Sequence, residues 1–526
     1  MNLEAFLHDL HFEADRARPP DWEVDWTDAP LPYKLYRGLP AVPLSLEVPL
    51  SLEERKAPAA PGLRGIGHFL WYVFGYTQFY QSVFAGDAAE QEAAAMQMCR
   101  RFVPSGGALY PNELYVYLKI EDLPAGVYHY DAARHRLVLL REGHFDSYLA
   151  RALGNRCDVS AWFGAVFVST LFWKNFFKYH NFAYRLQGLD AGVLIGQLLE
   201  TAKRFGFASG VYFQFLDRAV NHLLGLSERE ESVYAVIPLS AEPSTAWFAD
   251  RPDDAREIDD AELCRELSAV RHEHYVRSRK VAAYPMLIRM NEASMLASTR
   301  SFRQLREEKN VDEEGRAVAL PRVKRLSYDL ASACRKRFSP EADFVRGHVS
   351  QSQLAALLQE ATASFWYRND LDGAHEQPGC RVSLYGCLHG VEGIPDGAYH
   401  YDSDANALRR IRPGDHRFRL QQAMSLHNIN LFQIPLCLHV AGDRNHLITE
   451  LGYRGYRIQQ MEAGMLVQRL LLAASAIGMG GHPLLGFDTN SCDEIYNLAP
   501  QGKTSLIQIP VGPYRPRPRL GGSLHG

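Results

Sequence analysis

Gly126-Val127-Tyr128-His129-Tyr130-Asp131 returns as Gly397-Ala398-Tyr399-His400-Tyr401-Asp402, 271 positions further along the chain. Beyond this hexapeptide, Gly192 has a match in Gly464, Gly206 in Gly478 and Pro238 in Pro510, each 272 positions apart. A nearly constant offset from residue 126 to residue 238 is the mark of a duplication. It predicts two similar domains packed as an internal pseudo-dimer.

The elements around the hexapeptide set the fold class. Leu114–Ile120, Gly126–Asp131, Arg136–Leu140, Val159–Ser169 and Val233–Leu239 read as strands, from their alternation and their β-branched and aromatic content. Leu189, Val193, Leu198, Ala202 and Phe205 mark one face of a long helix stopped by Gly206. The later copy repeats that face with Met461, Met465, Leu466, Leu470, Ala473 and Ile477. The order is α+β, each half having a mainly antiparallel sheet flanked by helices. The long helices, 187–205 and 459–477, belong at the interface of the halves. Gly62–Tyr80 reads as a buried helix with a loop, and Glu92–Arg101 as the end of a helix.

The chain divides into four parts. Residues 1–60 form an extended N-terminal arm, with a short helix within Asn2–Glu13, seven prolines from Pro19 to Pro49 and a polar linker at Glu53–Ala60. Residues 61–245 are the first domain and 325–526 the second. Residues 246–324 are a linker with helices, in which Pro285 interrupts a helical candidate at Asp260–Arg306 and Glu307–Leu320 is a charged, solvated stretch.

Composition narrows the function. The 526 residues are 47% hydrophobic and 22% charged, as in an ordinary globular protein. A net charge of −4 gives no polycation for nucleic acid. The eight cysteines include no CxxC pair, so neither zinc nor a disulfide framework is expected. No signal segment or membrane-length apolar run is seen, which points to the cytoplasm.

Ligand-like features are split between the copies. The first has Pro104-Ser105-Gly106-Gly107-Ala108-Leu109, where adjacent glycines let the backbone come close to a flat ring. Shifted by 271, Pro104–Gly107 falls on His375-Glu376-Gln377-Pro378, so that loop is missing from the second copy. The second copy carries Arg335 and Arg337, whose forks suit a phosphate, where the first has Arg64 and Ile66. Arg515 and Arg517 lie just past the last strand, and Gly480 and Gly481 offer backbone N–H groups for an anion or a ring edge. One composite site per chain follows, the ring held by copy one and the phosphate by copy two. Each arginine taken singly reads as solvated charge.

The segments Pro104–Pro111, Gly126–Asp131 and Lys178-Tyr179-His180-Asn181-Phe182-Ala183-Tyr184-Arg185 followed by Asp190-Ala191-Gly192 resemble the SagB/ThcOx-type dehydrogenases of the flavin-dependent nitroreductase superfamily. Leu10–Glu13 and Pro32–Tyr36 resemble the arm of its two-domain members. The resemblance spans most of residues 5–245 and 325–515. It implies FMN bound between two nitroreductase-like domains and oxidation of thiazolines or oxazolines in peptides to thiazoles or oxazoles. The substrate would be an azoline-containing or carrier-bound peptide, delivered by a cyclodehydratase or peptide synthetase; homodimerisation is allowed, and no nucleic acid or membrane partner is expected.

The family's Lys-Tyr pair falls on Lys178 and Tyr179, after the aromatic run Phe172, Trp173, Phe176 and Phe177. Azoline oxidation removes a hydride and a proton, and a desolvated lysine suits the proton. Taken alone, the pair reads more simply as a lysine lying over aromatics beside a packed tyrosine. Two other functions fit the same residues: a generic NAD(P)H-dependent flavin reductase of nitro or quinone compounds, and an inactive scaffold in a peptide-modifying complex.

Overall fold

The computed structural model describes residues 2–53, 61–83, 95–242, 247–249, 256–305, 317–373, 379–515 and 520–523. Two seven-stranded antiparallel sheets have one topology. Across the first, the strands run Ala41–Pro43, Arg136–Glu142, Gly126–Asp131, Asn112–Leu118, Gly164–Leu171, Glu231–Ser240, Ala208–Ser209. Across the second, they run Ala317–Ala319, Ala407–Pro413, Gly397–Asp402, Val382–Leu388, Leu436–Asp443, Lys503–Gly512, Gly480–Gly481. Even the irregularities repeat. Register shifts at Val127/Tyr128 and Val168/Ser169 recur at Ala398/Tyr399 and Val440/Ala441.

The repeated hexapeptide builds this core. A Cβ on Gly126 would lie 2.6 Å from the Arg141 carbonyl oxygen, and one on Gly397 would lie 2.8 Å from that of Arg412. Tyr128 donates to Pro124 O at 2.5 Å and Tyr399 to Pro395 O at 2.6 Å. Asp131 accepts from Arg136 at 2.8 Å and Asp402 from Arg409 at 2.9 Å. Each hairpin is thus tied by the same two side chains.

The helices Ala183–Phe205 and Arg454–Ala476, each 23 residues, are buried over most of their length and join the halves. They cross backbone to backbone. A Cβ on Gly192 would meet Met461 O at 2.0 Å, and one on Gly464 would meet Leu189 O at 2.3 Å. Tyr184 stacks on Tyr456 with ring centroids 5.8 Å apart. Gly206 (φ +73°) ends the first helix in the left-handed conformation that glycine supplies. Arg454 and Arg457 reach across to the buried Asp217 at 2.6 and 3.0 Å. The α+β tandem pseudo-dimer expected from the repeat is the observed architecture.

The chain ends are interlaced. The helix Leu3–Phe12, capped by Asn2, sends His11 Nε2 to Thr504 Oγ1 of the second half at 2.9 Å. Leu520–Ser523 pairs with Tyr76–Val83 of the first half. Lys34 of the arm is buried against Glu231 at 2.7 Å.

Three expectations need correction. Ala95–Arg101 is a strand paired with Tyr76–Val83, not the end of a helix. Its alanine and methionine content favours helix, but pairing with a second strand overrides so weak a preference. For the same reason Gly62–Tyr80 is the helix Leu63–Phe74 running into that strand, not into a loop. Pro285 begins the helix Pro285–Ala293 rather than breaking one, since the first helical position needs no N–H. Among the described residues, no helix is long and apolar enough to cross a membrane, and no group of three His, Cys, Asp or Glu side chains could hold a metal.

Candidate active site

Pro104–Leu109 joins the strands Ala95–Arg101 and Asn112–Leu118. Asp190, on the first long helix, holds it. Ser105 Oγ donates to Asp190 Oδ2 at 2.6 Å, Gly106 N to Oδ1 at 3.2 Å, and Tyr110 N to Ser105 Oγ at 2.9 Å. Burial pushes the Asp190 carboxyl up to about 7, against the pull of the Ser105 and Gly106 bonds. Both glycines are needed. A Cβ on Gly106 would be 2.8 Å from Leu186 Cδ2, and Gly107 (φ +64°) would put one 2.6 Å from Tyr179 Oη and 2.7 Å from Lys178 Nζ.

Lys178 and Tyr179 end the helix Trp173–Tyr179, and their polar atoms therefore lie against the backbone of Gly107. Burial holds the Lys178 ammonium below the usual lysine range and lifts the Tyr179 phenol, which the Asp190 charge lifts further. No carboxylate pairs with Lys178 among the described residues. Lys174, one turn earlier, differs: it is buried in an ion pair with Glu113 and bonded to Tyr110 O at 3.0 Å.

The second half supplies Arg337. Its Nε donates to Phe102 O at 2.8 Å and its Nη1 to Ser339 Oγ at 3.4 Å. Phe102 leads directly into Pro104–Leu109, so a cation of one half and the glycine loop of the other meet. Arg337 is 4% exposed. Burial, then the nearby Arg100, push its guanidinium down to about 9, and no carboxylate pairs with it among the described residues. A buried cation in that position is suited to an anion, because hydrogen bonds to a carbonyl and a hydroxyl offset only part of its desolvation. Arg100 was not singled out in the sequence, where only its neighbour Arg101 stands next to the loop. Arg101 proves to be enclosed between the rings of Phe74 and Tyr76, at 3.8 and 3.9 Å.

The other arginines and glycines are placed differently. Arg335 is exposed and donates to Leu50 O at 2.8 Å, so it and Arg337 do not form one fork. Arg515 is exposed, with its backbone N–H on Asp343 O at 3.0 Å. Arg517 lies outside the described residues. Gly480 and Gly481 pair with Gly512 and Val511. A Cβ on Gly480 would be 2.4 Å from Pro340 Cγ and 3.0 Å from Tyr514 Cδ1, so this turn packs against the segment that follows Arg337.

These residues fit FMN. The buried Arg337, with no acid paired to it among the described residues, suits its phosphate, and the close backbone of Gly106 and Gly107 suits its ring. The second half lacks the counterpart. Glu462 stands where Asp190 stands, 272 positions on, but it bonds Tyr367 at 2.8 Å and Arg381 at 2.5 Å. Arg381 also pairs with Asp372 at 2.5 Å. The carboxylate that holds the loop in one half is consumed by an ion pair in the other. His375, Glu376, Gln377 and Pro378 lie outside the described residues.

The model of the nitroreductase family matches residues 87–239 and 388–513, together more than half of the chain. The trifolitoxin-processing protein TfxB of Rhizobium leguminosarum bv. trifolii is 32% identical over 142 residues, 25% of this chain and 37% of that protein. The "Putative nitroreductase MJ1384" of Methanocaldococcus jannaschii is 26% identical over 131 residues, 25% of this chain and 64% of that one. Thus the aligned segments span less than two thirds of either relative. A solved structure from Anabaena variabilis, titled a nitroreductase of putative standing, has the same fold, with TM-score 0.73 at 22% identity over 98% of this chain and 99% of that one. With a flavin-type fold in both halves and the family model matched in each, this chain belongs to the nitroreductase family.

Proposed function

We propose that this chain is an FMN-dependent oxidoreductase, reducing electron-poor nitro or quinone compounds with NAD(P)H at one site built from both halves. The observation that carries this reading is Arg337, a buried cation at the entrance to the Ser105-Gly106-Gly107 loop with no acid paired to it among the described residues. Family membership supports it. Arg337 and Arg100 would bind the phosphate, and the Gly106–Gly107 backbone would lie along the ring. Asp190 keeps that backbone in place. Bound FMN would supply reversible hydride exchange. Each hydride delivered to an acceptor oxygen or ring requires a proton, and Lys178, whose hold on its proton is weakened by burial, would give one. Tyr179 would orient the accepting oxygen. The test is anaerobic: protein reconstituted with FMN should lose its yellow colour on addition of NADPH and regain it with menadione. A protein that retains no FMN, or is not bleached, defeats the reading.

A second reading is favoured by Lys178 having no carboxylate paired to it among the described residues. A neutral amine there would take the proton lost when a peptide thiazoline or oxazoline is oxidised to its azole, and Tyr179 would relay it. The relative named for trifolitoxin processing supports a peptide substrate, bound as a free azoline peptide or on a carrier and supplied by a cyclodehydratase or peptide synthetase. Single turnover with an azoline peptide separates the readings. Lys178→Ala should keep FMN but slow bleaching by about 10²- to 10⁴-fold, the usual span for a lost general base. Bleaching at the unaltered rate removes Lys178 from the chemistry.

A further inference from the structure

The side chain of Lys178 is approached by a residue more than 150 positions earlier in the chain. Its Nζ lies 5.3 Å from the centre of the Trp26 indole. Trp26 belongs to the N-terminal arm and is 42% exposed. Its placement is nevertheless fixed. It begins the short turn Trp26–Asp28, capped by the Asp25 carboxylate, which accepts from Thr27 N at 3.0 Å. Asp28 accepts the backbone N–H groups of Arg279 and Lys280 at 2.7 and 2.9 Å. The Trp26 ring stands perpendicular to that of Phe177, with centroids 5.4 Å apart. Four residues earlier, Trp22 Nε1 donates to Phe177 O at 3.1 Å.

We infer that Trp26 is a positioning residue for Lys178: its indole holds the ammonium over Gly107, and the site is complete only with the arm docked. This rests on the proposed function for its consequence in catalysis, but the pairing stands on geometry. An ammonium facing an indole within about 6 Å is drawn to the ring's electron-rich face. No carboxylate competes for it among the described residues. The charged and titratable groups nearby are Asp25 and Asp28 on the arm, Arg279 and Lys280 on the segment they hold, and His180 and Tyr179 on its own helix and the turn after it. Asp190 stands behind Tyr179. Burial is the one resolved influence on the protonation of Lys178. The Lys178 Nζ also lies 5.0 Å from the centre of the Tyr179 ring, so the indole is the second of two aromatic faces around an ammonium with which no carboxylate pairs among the described residues. In the second half the equivalent position is Glu450, which an indole would not attract.

The test measures Lys178 itself. Competitive labelling of the full chain with an acylating reagent across a pH series, read by mass spectrometry on the peptide carrying Lys178, gives its titration midpoint. Trp26→Leu keeps an apolar cover but removes the aromatic face. It should lower the midpoint by about half a unit to one unit, as expected for losing a cation–π contact. Trp26→Phe, which restores an aromatic face, should recover most of the difference. An unchanged midpoint in Trp26→Leu, or a rise towards an ordinary lysine, overturns the assignment, because the indole would then serve only as cover. Trp26 is at the surface, so the variants are expected to fold. The measurement is made without FMN. A chain that shows the shift but binds no FMN would lose the proposed function and keep the pairing.

Discussion

The Ser105 hydroxyl donates to Asp190 Oδ2 at 2.6 Å, and this contact fixes the glycine loop to the helix joining the two halves. The acid is raised to about 7 in the folded protein, from an ordinary value of 3.8. Between those values the folded state holds a proton that the unfolded state has released. Stability therefore falls as pH rises from about 4 to about 7 and levels off above. Asp190→Asn keeps an acceptor for Ser105 but cannot titrate. Denaturant unfolding across that range should show a flatter pH profile in the variant; an identical slope would mean that Asp190 is charged throughout.

Arg337 should dominate FMN retention. Loss of its charge-assisted bonds by Arg337→Ala should weaken FMN by about 30- to 150-fold, from roughly 2–3 kcal/mol. Arg335→Ala, made at an exposed side chain on the Leu50 carbonyl, should leave affinity within about twofold of the parent. Flavin fluorescence titrations compare the two. Equal losses would restore the paired fork.

One FMN per chain is expected. Glu462, at the position equivalent to Asp190, is engaged by Arg381 and Tyr367 and so is not available to hold a glycine loop. Flavin released by heat, measured against protein concentration, should give a ratio near one. A ratio near two would show that the second half also binds.

The helix crossing tolerates no side chain at its centre. A methyl at Gly192 would lie 2.0 Å from Met461 O, and one at Gly464 would lie 2.3 Å from Leu189 O, with rigid backbone on both sides. Gly192→Ala or Gly464→Ala should each cost about 1–3 kcal/mol or more, the range for overpacked cores. Thermal unfolding reads this directly. An unchanged midpoint would mean that the helices can separate cheaply.

The repeat made the architecture legible because its carriers are backbone requirements. Gly126 and Gly397 admit a neighbouring carbonyl, and Gly192 and Gly464 admit a helix. Such demands survive divergence and stay in register. The strand Ala95–Arg101 was not legible, since it is held by pairing with Tyr76–Val83, a strand whose other edge is covered by Leu520–Ser523 from the far end of the chain. In the site, adjacent residues were found where a motif is continuous, as in Ser105–Gly107 and Lys178–Tyr179. Arg100 and Trp26 were not, because what recommends them is proximity across elements. Arg335 and Arg337 are two positions apart in sequence, yet the end of a helix sends their side chains in different directions.

Tyr184 against Tyr456 marks an axis about which the two halves would superpose, and both halves belong to one polypeptide. In an assembly of two identical chains, every substitution is made twice and the sites must change together. Fusion removes that constraint. Lys178 can correspond to Glu450 in the other half, and Asp190 to Glu462, each altered alone. One side is then free to specialise in chemistry while the other becomes a fixed support, a division of labour that identical subunits cannot reach by single mutations.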